Sequence, residues 1–210
     1  MAKRRHLGIW SVVALMGVLV WQPRAAEGQL LFGQVSTARP LEHGTQDVGA
    51  YLGVFEHSTV VFGQYRRGLF SQGDGGILFG VVDPEGSGDA GIGVGGDLKF
   101  RLLSAKNRDL FDLSIDPRLG FFSYSGASLF QFGGSVVMSY DYTVSNGGYL
   151  TPYGAVNMRM ESVSNGASDT DFQIGAQAGL KWEITDLIDV LGEVVLDDEL
   201  GVIIGLNFKL

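Results

Sequence analysis

Hydrophobic and polar residues alternate with a period of two through most of the chain after residue 46. In the segment 171–184, Phe172 and Trp182 share one face, while Lys181 and Glu183 share the other. Neighbouring residues of a strand point to opposite faces, so this alternation predicts strands with one apolar face. The same pattern recurs in 90–102, 110–121, 130–142, 150–160, 188–196 and 201–210, and more weakly in 47–55, 59–69 and 76–82. Turn-forming Gly, Asn, Asp and Ser separate these segments, which predicts about ten strands and no helices there.

The length of the alternating runs favours a barrel that crosses a membrane. Several runs span 11–14 residues, whereas strands of soluble proteins have about 5–6 and tilted membrane-spanning strands about 9–11. We therefore predict a closed antiparallel transmembrane β-barrel of about ten strands, within a range of about eight to twelve.

The two faces of these strands predict two groups of residues. The polar faces combine glycine with charges of both signs, which suits a narrow interior because buried charges need partners. The predicted lumen-facing polar network consists of Asp97, Lys99, Arg101, Asp112, Asp116, Arg118, Arg159, Lys181, Glu183 and Glu193. Aromatic residues near the ends of the apolar faces predict a lipid-facing girdle. This girdle consists of Phe111, Phe121, Phe130, Tyr142, Trp182 and Phe208.

The chain ends on an alternating strand, "GVIIGLNFKL" (201–210). The last strand of a closed barrel pairs with the first, because lipid cannot satisfy an open sheet edge. This ending, together with "GDLKFRLL" (96–103) and "TPYGAV" (151–156), resembles the bacterial small outer-membrane β-barrel domain superfamily. The resemblance implies location in the cell outer membrane, contact with its lipid, and recognition of the last strand by the barrel-assembly machinery. The residues that would be recognised are Val202, Ile204, Leu206, Phe208 and Leu210, with the aromatic at Phe208 and not at the final position.

The N-terminal region divides into a leader and a short segment. Residues 1–28 have the charged start, apolar core and small-residue end of a secretory signal peptide, so we predict cleavage before Gln29. The apolar run 9–21 is short for a membrane-spanning helix, which needs about 20 residues. The N-terminal segment, 29–46, precedes the barrel, 47–210. The sequence is compatible with three placements of this segment: a periplasmic tail, an extra strand, or a position inside the barrel.

Composition narrows the possible functions. The 210 residues carry a net charge of −8 and include 32 glycines but no cysteine. The absence of cysteine excludes disulfides and thiol catalysis, and the acidic balance argues against a nucleic-acid partner.

We predict no catalytic, cofactor or metal site. His57 lies beside Ser58, but adjacent residues point apart and do not form a catalytic pair. The acidic turn 197–199 lacks the spacing of a calcium loop, so we expect it to be solvated. The glycine-rich stretch 91–97 is not followed by a helix, so its glycines are better explained by a tightly closed barrel interior.

Three functions are compatible with this pattern. The first is a non-enzymatic integral outer-membrane barrel with a structural, surface-interaction or minor-channel role. The second is a small-solute porin, and the third is a soluble periplasmic binding barrel. Barrels of about eight strands are filled by side chains while porins of 16–18 strands hold water, so about ten strands favour a filled lumen. The oligomeric state, the solute and any further partner remain open.

Overall fold

The computed structural model describes residues 32–84, 90–107, 109–124, 127–144, 148–164, 168–197 and 199–210. The predicted signal peptide and its cleavage site before Gln29 lie outside these residues. The strands are β1 (Gln46–Phe55), β2 (Ser58–Phe70), β3 (Gly73–Pro84), β4 (Gly91–Leu103), β5 (Asp112–Tyr124), β6 (Ala127–Ser139), β7 (Tyr142–Thr143), β8 (Tyr149–Ser164), β9 (Ser168–Thr185), β10 (Ile188–Leu196) and β11 (Leu200–Lys209). A single 3₁₀ turn, Ala105–Asn107, lies between β4 and β5. Among the described residues, no helix is long and apolar enough to cross a membrane.

The sheet closes on itself. Consecutive long strands pair antiparallel, β6 pairs with β8, and β1 pairs with both β2 and β11. Ten strands therefore form the barrel wall, and the two-residue β7 adds only to the start of β8. The prediction of a closed antiparallel barrel of about ten strands is confirmed. The C-terminal strand pairs with β1 over the register from Asp47–Lys209 to Phe55–Gly201, so the wall leaves no open edge there.

The two ends of the barrel differ in what they carry. The terminal end holds the start of β1 and the end of β11, where the Leu210 amide donates to the Gln46 carbonyl at 2.8 Å. The opposite end holds the C-terminal ends of β1, β3, β5, β8 and β10. Three register shifts, at Gly68/Phe70, Arg101/Leu103 and Ile188/Asp189, all lie near the terminal end. Such bulges increase the local twist and bend of the strand.

The N-terminal segment lies inside the barrel. All seven residues from Phe32 to Ala38 are buried, and Val35 and Ala38 have exposed fractions of 1% and 0%. The segment is not a strand, so it is held by side chains and turns and not by sheet pairing. Of the three placements that the sequence leaves open, the structure shows the one inside the barrel. The chain leaves the lumen at the terminal end, where Gly44 donates to the Gly68 carbonyl at 2.9 Å, and β1 begins two residues later.

Candidate functional site in the barrel lumen

We use the name lumen segment for residues 32–41. Its deepest described residue is Phe32, whose ring packs between two inward-facing aromatic side chains of the wall. The ring centroid lies 5.1 Å from that of Phe62 and 5.0 Å from that of Phe122. Gly93 of β4 lies beside both the Phe32 and Phe122 rings. A Cβ at this position would overlap Phe122 and come within 2.9 Å of Phe32. The missing side chain at Gly93 therefore makes room for both rings.

A turn after Phe32 binds a wall carboxylate through backbone amides. Gly33 and Val35 have positive φ angles of 60° and 39°, the left-handed region that β-branched residues rarely adopt. In this conformation the Gln34 and Val35 amides each donate to one carboxylate oxygen of Glu193 at 2.8 Å. The Tyr153 hydroxyl donates to the same carboxylate at 2.6 Å. Successive amides that converge on an anion form a nest, a fixed concavity of partial positive charge. Glu193, which is buried, is thus held by groups from both segment and wall.

Two wall cations bind the middle of the lumen segment. The Lys99 ammonium donates to Ser36 Oγ at 2.8 Å and to the Thr37 carbonyl at 2.6 Å. The Arg118 guanidinium donates to the Gly33 carbonyl at 2.8 Å and to Gln34 Oε1 at 2.7 Å. These bonds satisfy backbone and side-chain acceptors that would otherwise lie unpaired in the interior.

The segment is also bound where it approaches the terminal end. Arg39 forms ion pairs with Asp112, at 3.1 Å, and with Asp141. The Leu41 amide donates to Asp74 Oδ2 at 2.8 Å. Polar contacts therefore follow the lumen segment along its whole described length.

The wall has ionic clusters of its own. Arg66 bridges Asp74, at 2.6 Å, and Asp97, and all three side chains have exposed fractions of 5% or less. On the other side of the lumen, Arg159 lies 2.5 Å from Glu161 and 2.6 Å from Asp197. The Asp197 side chain is fully shielded. The expectation that the acidic turn 197–199 is solvated is therefore wrong for Asp197, because an interior guanidinium draws it inward.

The structure places all ten residues of the predicted polar network on the inner side of the wall. Six are buried: Asp97, Lys99, Asp112, Asp116, Arg159 and Glu193. The half-buried members are Arg101, Arg118, Lys181 and Glu183. Lys181 and Glu183 lie toward the terminal end, where their partners are Asp189, at 3.4 Å, and Lys209, at 2.5 Å. Six further charged residues of the interior are not predicted by the sequence pattern: Arg39 of the lumen segment, and Arg66, Asp74, Glu161, Asp189 and Asp197.

The half of the lumen nearer the opposite end combines the Arg159 cluster with a large apolar core. Buried aromatic and aliphatic side chains from many strands meet there around Phe32: Phe55, Val60, Phe62, Leu78, Val82, Phe122, Leu129, Leu191, Val195 and Ile203. The alternation along the chain predicts polar residues on the inner face and does not predict this core. A cavity that remains beside Phe32 has a volume of about 30 Å³, which holds only a few water molecules.

The outer face of the barrel is apolar around its circumference. Large hydrophobic side chains point outward from every long strand, among them Phe79 at 69% and Ile92 at 68% exposure. A soluble barrel has the reverse arrangement, because water solvates polar groups and not a continuous apolar band. The architecture is that of a transmembrane β-barrel. Its outward apolar band and its buried ion pairs reverse the usual arrangement of a soluble barrel.

Five of the six predicted girdle residues lie on the outer side of this barrel. Exposed side chains near the opposite end are Phe121 and Phe130, and those near the terminal end are Tyr142, Trp182 and Phe208. Phe111 is half-buried in the connection that precedes β5. Contact of these side chains with lipid headgroups stays a prediction.

The two residues weighed as a catalytic pair point apart in the barrel. The His57 side chain is exposed in the first hairpin, whereas Ser58 is buried on the inner face. The residues of this hairpin therefore do not form a nucleophile and base.

Comparison with known proteins gives structural neighbours only. No family model and no curated protein sequence matches the chain. The translocator domain of the autotransporter NalP from Neisseria meningitidis is similar with a TM-score of 0.48 and 9% identity, over 80% of this chain and 89% of that chain. An outer membrane channel from Pseudomonas putida F1 is similar with a TM-score of 0.40 and 10% identity, over 85% and 98% of the two chains. The KdgM porin has a TM-score of 0.38 and 12% identity, over 77% and 98%. The fold assignment rests on the closed strand pairing of this barrel and not on these distant likenesses.

Proposed function

We propose that the protein is a non-enzymatic integral barrel of the outer membrane whose lumen is closed to solutes by its own N-terminal segment. The observation that carries this proposal is the lumen segment itself, which fills the interior between Phe32 and Leu41 and is bound along its length. A structural or surface-interaction role therefore fits the protein better than a porin role.

The apolar core near the opposite end also supports a closed state. Its side chains come mostly from the wall, and they pack around Phe32 of the lumen segment. The cavity that remains beside Phe32 has a volume of about 30 Å³, which holds a few water molecules but not a sugar.

The proposed location follows from the outer face. Because its exposed hydrophobic side chains encircle the barrel, the protein is stable in lipid and would aggregate in water. We further propose that both termini face the periplasm and that the barrel-assembly machinery recognises the last strand. The outward face of that strand carries Val202, Ile204, Leu206 and Phe208, followed by Leu210.

Planar-bilayer conductance tests the closed lumen. The protein without its predicted leader is refolded and inserted, and insertion is verified by protease resistance and by altered migration before and after heating. We expect no unit conductance steps. Stable and reproducible steps from the inserted protein would contradict the closed lumen and favour the small-solute porin.

Membrane fractionation tests the location. We expect the protein to be extracted from cell envelopes only by detergent. Release into the periplasmic fraction without detergent would instead favour the soluble binding barrel.

A further inference from the structure

We propose that the lumen is a binding site for an extended peptide, and that residues 32–41 are a ligand which occupies it in cis and can be exchanged for the same peptide in trans. This inference rests on the proposed closed barrel. The further step is that the lumen segment can separate from the wall, and that the wall recognises it as it would a free peptide.

The strand pairing of the wall is complete without the lumen segment. Ten strands pair around the circumference, and none of these pairings involves residues 32–41. Arg66, Asp74 and Asp97 also pair with one another within the wall, so these three side chains keep ionic partners without the segment. Withdrawal of the segment would therefore leave no sheet edge open to lipid.

The wall recognises backbone as well as side-chain groups of the segment. Glu193 accepts from two successive amides, Lys99 donates to the Thr37 carbonyl, and Arg118 donates to the Gly33 carbonyl. The backbone of an extended peptide presents amide donors and carbonyl acceptors. The wall offers carboxylates that accept from the amides and cations that donate to the carbonyls. Because the contacted groups include backbone amides and carbonyls, affinity does not depend on the sequence alone.

Two features give the site sequence selectivity. Phe32 fits the space between Phe62 and Phe122 that Gly93 leaves open. The residue after it has a φ of +60°, and a Cβ there would overlap the Glu193 carboxylate and the Ile203 side chain. The site therefore selects an aromatic residue followed by glycine, and a β-branched residue in place of Gly33 would exclude the segment.

The connection to β1 explains why the cis ligand dominates. Residues 42–45 join the lumen segment to β1, and a short tether gives an effective concentration on the order of millimolar. A free peptide at micromolar concentration therefore competes poorly with the intact chain, so the test needs a variant whose own segment is displaced.

The experiment uses the protein with Gly33→Val and a fluorescent peptide with the sequence of residues 32–41. The chain contains no cysteine, so an added Thr37→Cys reports whether the segment has left the lumen through its rate of maleimide labelling. This position keeps the backbone carbonyl that Lys99 binds. We expect slow labelling with Gly33 present and fast labelling in the Gly33→Val protein.

Peptide binding is then measured by fluorescence anisotropy in detergent. We expect the wild-type peptide to bind the Gly33→Val protein and not the wild-type protein. The peptide that itself carries Gly33→Val is the matched control, and we expect it to bind about tenfold more weakly or worse. A protein with both Gly33→Val and Glu193→Gln should lose about tenfold or more in affinity, because the amide places a donor against the nest.

The outcomes separate the exchange from the closed barrel. Slow labelling in the Gly33→Val protein, or fast labelling without peptide binding, would overturn the exchange and leave the wild-type conductance result untouched. If the Gly33→Val protein does not regain heat-dependent migration, Phe32→Ala replaces it, since this change removes the aromatic ring without altering the backbone. Channel activity of the wild-type protein, measured without peptide, would contradict the closed lumen itself.

Discussion

The two halves of the lumen are filled by different means. Near the opposite end, wall side chains such as Val60, Leu129 and Val195 form an apolar core around Phe32 of the lumen segment. Near the terminal end, the interior contains buried carboxylates and cations, and the lumen segment provides partners for several of them. The apolar half resembles the core of a soluble protein, whereas the charged half depends on correct pairing. Loss of a partner should therefore be most damaging in the charged half.

The largest expected effect follows from breaking the wall cluster in the charged half. Arg66→Met leaves the carboxylates of Asp74 and Asp97 buried without their cation. We expect the free energy of unfolding to fall by an amount in the upper part of the range of roughly 3–5 kcal/mol. Urea unfolding in lipid vesicles, followed by tryptophan fluorescence, measures this loss.

The matched control is the next residue along β2. Arg67 is exposed on the outer face, so Arg67→Met should change the free energy of unfolding much less. If Arg66→Met and Arg67→Met lower the free energy of unfolding equally, burial does not determine how much the ionic cluster contributes to stability.

A smaller loss is expected from truncation in the apolar half. Phe122→Ala removes an inward ring from the core and should cost about 3 kcal/mol, because the rigid wall cannot collapse into the cavity. Phe121→Ala removes the neighbouring ring from the outer face, where lipid can fill the space, and should cost less. The same unfolding measurement compares the two, and a larger loss for Phe121→Ala would contradict the assignment of these faces.

The smallest effect is expected where the charged half meets solvent. Lys209 lies 2.5 Å from Glu183, with exposed fractions of 31% and 20% for the two side chains. Lys209 also lies 3.4 Å from the buried Asp189, which keeps Lys181 as a second cation at 3.4 Å. Partly exposed ion pairs contribute about 0–1 kcal/mol and are screened by salt. Lys209→Met should therefore reduce stability by less than about 1 kcal/mol. A difference that persists undiminished in high salt would show that the pair behaves as a buried one.

The sequence predicted the wall better than the interior, for physical reasons. Alternation is a local property, so the faces of β9 or β11 can be assigned from a few neighbouring residues. The early strands alternate less clearly, because several inward positions of β2 and β3 are apolar, and Arg66 and Asp74 were missed there. The partner amides of Glu193 lie at Gln34 and Val35, more than 150 residues away in the chain. No local pattern encodes such a contact.

For some residues of the site, the sequence shows the type of side chain but does not predict where in the barrel that side chain lies. The glycine-rich stretch 91–97 predicts a tightly closed part of the barrel, but nothing in it identifies Phe32 as the group that fills the space beside Gly93. Phe121 and Phe122 are adjacent and chemically alike, and only the closed barrel shows that Phe122 belongs to the lumen.

The close approach of Gly93 to Phe32 has a consequence for how this barrel can diverge among species. A side chain gained at 93 would overlap Phe122 and approach Phe32 to 2.9 Å, so it requires smaller groups around it, and a smaller group at 32 relieves part of the overlap. Sequences of diverged relatives should therefore show substitutions at these two sites in correlated pairs. An aromatic residue at 32 should coincide with glycine at 93, and its replacement should coincide with alanine or serine there. The history of the two positions would then record whether the N-terminal segment and the wall have evolved as one unit.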